Sequence, residues 1–125
     1  MRGGALSLDH VQVAIPRGGE APARSFYGEV LGLTEIEKPA ALAARGGVWF
    51  AVGDHELHLG TEEPFAPARK AHPAFRVADV EELRSLAARC GEAGAEVTWA
   101  DAIEIPGRER FHVADPFGNR LELLA

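Results

Sequence analysis

The chain has 125 residues and a formal net charge of −6, with 46% hydrophobic and 26% charged residues. This suits a single soluble globular domain with a proper core, and the acidic balance argues against nucleic acid, whose phosphates need a basic surface. Cys90 is the only cysteine, which excludes an internal disulfide. No apolar stretch approaches a membrane span, and the opening MRGGALSLDH lacks the long apolar core of a signal peptide, so a cytoplasmic protein is expected. An anionic small molecule stays possible, because it feels only the local field of its pocket.

LDHVQVAIP (8–16) alternates in part and is rich in β-branched residues, which predicts a strand stopping at Pro16. A Gly-rich turn follows. APARSFYGEVLGL places Ala23, Phe26, Tyr27, Val30 and Leu31 at helical spacing, with Gly32 as the stop. Phe26 and Tyr27 read as helix core rather than pocket. LTEIEKP (33–39) predicts a short strand, GVWFAVG (47–53) another, and HELHLG (55–60) its hairpin partner across a "GD" turn. TEEPFAPARKA (61–71) has two prolines and mixed charge and reads as a connector; its Arg69 and Lys70 look like ordinary solvated charges.

The order then restarts. HPAFRVAD (72–79) predicts a strand. VEELRSLAARCGEAG predicts a helix burying Leu83, Leu86, Ala87 and Cys90, with Asp79 as N-cap, Glu82 three residues on, and Gly94 as the stop. AEVTWADAIE, RERFHVAD and RLELLA predict three more strands, with DPFGN as the turn before the last.

The chain therefore reads β-α-β-β-β twice. His10 and His72, and likewise Trp49 and Phe111, are 62 residues apart. Leu57-His58-Leu59 matches Leu121-Glu122-Leu123 at an offset of 64, with the second hairpin read as two residues longer. The expected architecture is α+β: two tandem βαβββ modules, about 7–60 and about 72–125, joined by the connector 61–71 in one domain. They would form a curved, partly open mixed β-sheet around a metal or ligand pocket.

His10, His58, His72 and Glu122 fall at equivalent places of the two units. Packed about a pseudo-two-fold axis, the four would converge. Three neutral imidazoles and a carboxylate suit one divalent first-row ion such as Zn, Ni, Mn or Fe. The alternative is a pocket that keeps these polar residues without a metal. Gln12 lies on the same strand face as His10, and Arg110 and His112 alternate with Phe111 and Val113. These three are expected to line the pocket as substrate contacts.

The segments LDHVQVAIP, SFYGEVLGL, HPAFRV and DPFGNRLEL resemble those of the vicinal oxygen chelate superfamily, which includes glyoxalase I, fosfomycin and bleomycin resistance proteins and extradiol dioxygenases. The resemblance covers nearly the whole chain from Leu8. It implies that His10, His72 and Glu122 hold the metal. In glyoxalase I a fourth ligand is usually a glutamate of the fourth strand. Glu56 and His58 both lie on that face here, and His58, flanked by leucines and mirroring Glu122, is the preferred match. Other members use only three protein ligands.

The resemblance implies a metal-dependent enzyme acting on a small oxygen-chelating substrate. It would be glyoxalase- or lyase-like, a resistance-type transferase, or a dioxygenase, with Glu122 or Glu56 moving protons. The other class it implies is a metal-free binding protein of the bleomycin-resistance type, which sequesters its ligand by stacking and hydrogen bonding. It also favours a homodimer with sites shared between chains, and neither nucleic acid nor membrane as a partner.

Overall fold

The structure, a computed structural model, describes residues 3–125. In chain order it comprises β1 (His10–Pro16), α1 (Glu20–Ala23, continued by a π-helical run over Arg24–Val30), β2 (Thr34–Ile36), α2 (Ala40–Ala43), β3 (Val48–Val52) and β4 (His55–Glu62). The second half comprises β5 (Ala74–Arg76), α3 (Val80–Glu92), β6 (Val97–Trp99), β7 (Arg110–Ala114) and β8 (Arg120–Leu124). The βαβββ order thus occurs twice, with α2 as an addition to the first copy. The strands form two four-stranded sheets, ordered β1-β4-β3-β2 and β5-β8-β7-β6. In each, the first strand runs parallel to the last and the other pairs are antiparallel. Both sheets are mixed and open at their edges.

Strand alternation divides the faces. Val13, Ile15, Val48, Phe50, Leu57 and Leu59 of the first sheet are buried in the same apolar cluster as Phe111, Val113, Leu121 and Leu123 of the second. The same cluster includes Phe26 and Tyr27 of the π-helical run and Leu83, Leu86, Ala87 and Cys90 of α3. Full burial stabilises each large apolar side chain by about 1.5–3 kcal/mol. Burial also pushes the Cys90 thiol above its ordinary pKa, in keeping with an inert core position. The α3 N-cap is as the sequence implies: the Glu82 N–H donates to Asp79 Oδ1 at 2.8 Å.

Some elements differ from their sequence patterns. The segment 72–79 forms a strand only over Ala74–Arg76, so His72 stands before the strand, with Pro73 between. After Trp99 the chain leaves the sheet for turns through Pro106 and Gly107 until β7 begins at Arg110. Strand β4 runs on to Glu62, into the segment read as connector.

The register also corrects one internal match. Trp49 pairs with His58, and His112 pairs with Glu122. Trp49 therefore corresponds to His112, not to Phe111, which is fully buried on the opposite face. The turn between the last two strands is one residue longer in the second copy, not two. The other extra residue lies upstream of β7, and a shift of one residue reverses which face a side chain meets.

The turn DPFGN ties these layers together. Asp115 Oδ1 accepts the backbone N–H groups of Phe117 (2.9 Å) and Asn119 (2.8 Å). Its Oδ2 accepts the Tyr27 hydroxyl (2.6 Å) and the Asn119 side-chain amide (2.9 Å). Asn119 also donates to the Ala14 carbonyl in β1 (2.8 Å) and accepts the Ala68 N–H (2.9 Å). Asp115 and Asn119 are both buried. Burial, with the Asp115 carboxylate alongside, drives the Tyr27 hydroxyl pKa far above its ordinary value, so Tyr27 stays protonated and donates to Asp115.

Removing Asp115 would strand four donors in the core. Asp115→Ala should cost at least about 3 kcal/mol, whereas Tyr27→Phe, which removes one bond to a charged group, should cost about 1.5 kcal/mol. Urea unfolding monitored by circular dichroism measures both; equal costs would reduce the role of Asp115 to its contact with Tyr27.

Candidate metal and substrate site

The polar face of the second sheet carries Arg110 and His112 from β7 and Arg120 and Glu122 from β8. Register sets His112 directly across from Glu122, and Ala74 on its other side. His72 comes in from the segment just before β5. Its Nε2 is 3.0 Å from Glu122 Oε1, and His112 Nε2 is 3.1 Å from the same oxygen. One ligand atom from each of His72, His112 and Glu122 lies within 4.8 Å of the others, a group able to hold a metal ion. All three are largely shielded, with side-chain exposures of 25%, 16% and 12%.

The hydrogen bonds around His72 define its protonation. Its Nδ1 is 2.8 Å from the Lys70 carbonyl oxygen, which only accepts, so Nδ1 carries a proton. In the neutral ring, Nε2 then presents a lone pair toward the Glu122 carboxylate. Two lone-pair atoms at 3.0 Å repel unless a cation lies between them. That cation is either a second proton on the ring or a metal ion, and a backbone carbonyl behind a histidine is the usual way to orient a ligand. By donor set and geometry, the site fits a divalent metal.

Burial raises the Glu122 pKa, but a hydrogen bond from His72 in the form that carries a second ring proton on Nε2, the Arg110 charge and a hydrogen bond from His112 outweigh it and hold the carboxyl below its ordinary value. For His112, burial and the Arg120 charge lower the pKa more than Glu122 raises it. His112 is therefore mostly neutral at neutral pH, the form that ligates metals or accepts protons. Arg110 is held between Glu122 (3.5 Å) and Glu104 (3.3 Å), with its Nε buried and unpartnered.

The first sheet carries a different arrangement at the equivalent place. His58, the counterpart of Glu122, lies flat against Trp49, with ring centroids 3.6 Å apart and planes 2° apart. His10 stacks on His58 at 4.1 Å. Glu56 Oε1 is 2.8 Å from His58 Nε2, and Asp9 Oδ1 is 2.9 Å from His10 Nδ1. Gln12 pairs in register with His58, and its side chain lies over Gly60.

Among the described residues, the metal-capable group contains His72 and Glu122 but neither His10 nor His58. The four histidine and glutamate positions thus fall, within one chain, into a stack on one sheet and a metal-capable group on the other. His112, expected as a substrate contact, stands with the second group. Sequence reasoning missed Trp49 as a partner of His58. The correct one-residue register would have revealed it, since Trp49 and His112 flank equivalent central positions.

No helix among the described residues is long and apolar enough to cross a membrane. No curated protein matches the chain. The chain resembles a glyoxalase family protein from Bacillus anthracis with 47% identity and a TM-score of 0.87, covering 99% of this chain and 98% of that one. Similar in fold are a lactoylglutathione lyase from Agrobacterium tumefaciens (19% identity, TM-score 0.71, covering 94% and 92%) and a genomically encoded fosfomycin resistance protein from Listeria monocytogenes (15% identity, TM-score 0.73, covering 98% and 92%). A family model described as Glyoxalase/Bleomycin resistance protein/Dioxygenase superfamily matches residues 7–123. With two βαβββ units, a group on the polar face of the second that could hold an ion, and that match along nearly its whole length, the chain belongs to this superfamily.

Proposed function

We propose that the protein is a divalent-metal-dependent enzyme acting on a small molecule that presents two neighbouring oxygens. The observation that carries this reading is the Lys70–His72–Glu122 relay, in which a fixed tautomer points a lone pair at a carboxylate. His72 and Glu122 would hold the ion, and His10, with Nδ1 occupied by Asp9, keeps Nε2 free to join them. His58 is the fourth candidate, and it enters only if its Nε2 exchanges Glu56 for the ion. When bound, the metal supplies Lewis-acid polarisation of the substrate oxygens.

The chain's own residues handle orientation and protons. Arg110 keeps Glu122 ionised, so a Glu122 oxygen not engaged by the ion can accept a proton from a substrate carbon or hydroxyl. Glu56, whose side chain is 41% exposed, can pass protons between His58 Nε2 and solvent. His112 and Arg110 face the substrate, and Gln12 does so from the first sheet. Lyase, transferase and dioxygenase chemistries share these needs, so they are separated by a metal-reconstituted screen over hemithioacetals, catechols and epoxides.

Because the metal-capable group within one chain does not include His10, we propose a homodimer in which one chain supplies His10 and His58 and the other supplies His72 and Glu122. Symmetric dimers are the commonest oligomers.

His72→Ala and Glu122→Ala should each lower metal affinity at least about tenfold, and His10→Ala likewise. His112→Ala and His58→Ala should lower it less. Competition with a chromogenic chelator reads the affinity, and unchanged binding in the first three variants would refute the ligand set. Full occupancy failing already in the untagged wild type would leave a metal-free binding protein.

A mixing experiment tests the shared site. Inactive His10→Ala refolded with inactive Glu122→Ala should regain metal binding and turnover, because one site of a mixed dimer collects both lesions and the other none. No recovery, or a monomer by light scattering, would place every site within a single chain.

A further inference from the structure

A second feature of the same sheet face is not accounted for by metal binding. Beside His112 lies a cleft of about 520 Å³ whose lining includes Arg69, Thr98, Gly118 and Arg120. Among the described residues, neither Arg69 nor Arg120 forms an ion pair, a state they share with Arg45, Arg76, Arg89 and Arg108, but these two line one cleft beside the candidate metal group. This occurs in a chain with 19 acidic and 13 basic residues, where carboxylates are in excess. The one carboxylate in the lining, Glu96, is exposed.

The two arginines are also held in place by backbone. The Arg120 N–H donates to the Ala68 carbonyl at 2.9 Å, and the Ala68 N–H donates to Asn119 Oδ1 at 2.9 Å. Both peptide groups of Ala68 are thus pinned to the start of β8, which sets Arg69 against Arg120. At Gly118, a side chain would come within 3.3 Å of Pro67, so the connector approaches the turn closely. The connector's charge, which looks merely solvated in the sequence, is placed by the same Asn119 that anchors the turn.

We propose that this cleft is a subsite for an anionic end of the substrate, a carboxylate or phosphoryl group, gripped by Arg69 and Arg120 with the Thr98 hydroxyl alongside. The proposal rests on the reading that substrate reacts at Glu122. Guanidinium groups suit both anions, since their planar forks donate paired hydrogen bonds to neighbouring oxygens. Arg120 and Glu122 are two residues apart on one strand face, about 7 Å along the strand. The substrate is therefore short, with its anionic end only a few bonds from the oxygens that react.

The test uses metal-free protein, so it reads the subsite even if the metal assignment fails. Sodium phosphate and sodium acetate are titrated separately into the labelled protein, with sodium chloride at equal ionic strength as control, and amide shifts are followed by NMR. At least one of the two anions should shift Thr98, Ala114, Gly118 and Arg120 selectively. The arm that binds more tightly identifies the group as phosphoryl or carboxylate. Arg120→Gln and Arg69→Gln should each weaken that binding about tenfold, while Arg69→Gln keeps wild-type metal affinity. Arg69 is exposed, so its variant keeps the fold and the comparison stands even if Arg120→Gln is perturbed. Shifts matching those of chloride, or binding undiminished in Arg69→Gln, would overturn the proposal.

Discussion

The four hydrogen bonds converging on the Asp115 carboxylate organise the molecule. They close the turn that launches β8, so they decide which residues of RLELL face the core and which face the pocket. They reach Tyr27 in the helical run of the first unit, and through Asn119 they reach β1 and the connector. A buried carboxylate is costly unless its lone pairs are filled, and these are. Glu122 owes its position to this arrangement: with Asp115 and Asn119 fixed, alternation leaves its side chain opposite His112 and beside His72.

The second sheet then reads as a sequence of dependent placements. The carbonyl of Lys70 fixes the His72 tautomer, the tautomer aims a lone pair at Glu122, and the Arg110 charge helps keep Glu122 ionised. No member of this set is fully buried, so water and small molecules have access. The scaffold beneath it is rigid and apolar. That combination of a solvated, charge-balanced face on a packed core is what a site needs if it is to bind an ion without unfolding around it.

Much of this was legible in the sequence. The duplication, the core residues of α3, the Asp79 cap and the two-residue hairpin at Gly53-Asp54 follow from period and turn chemistry. The equivalence of His58 and Glu122 follows from their flanking leucines. What escaped has physical reasons. The extents of β5 and β6 depend on pairing partners, and no local signal marks where Pro73 or the turns after Trp99 end them. The Trp49–Phe111 match rested on aromatic character, and only ladder register reveals that it is out by one. The proximity of Lys70 to the His72 ring, and of Arg69 to Arg120, depends on how the connector folds back, which composition does not encode.

Register carries a further meaning for the history of the chain. The central strand, its antiparallel neighbour and its parallel neighbour present the triple Trp49, His58, Gln12 in one copy and His112, Glu122, Ala74 in the other. The lattice is the same and the chemistry is different: flat rings in contact on one side, and on the other a histidine–carboxylate pair that His72 completes from just before its strand. Two copies of one unit can differ in this way because strand alternation separates the outer face from the apolar face that packs the shared core. Mutations on the outer face are then free to specialise, one half toward recognising planar groups and the other toward charge, without renegotiating the core that both halves inherited.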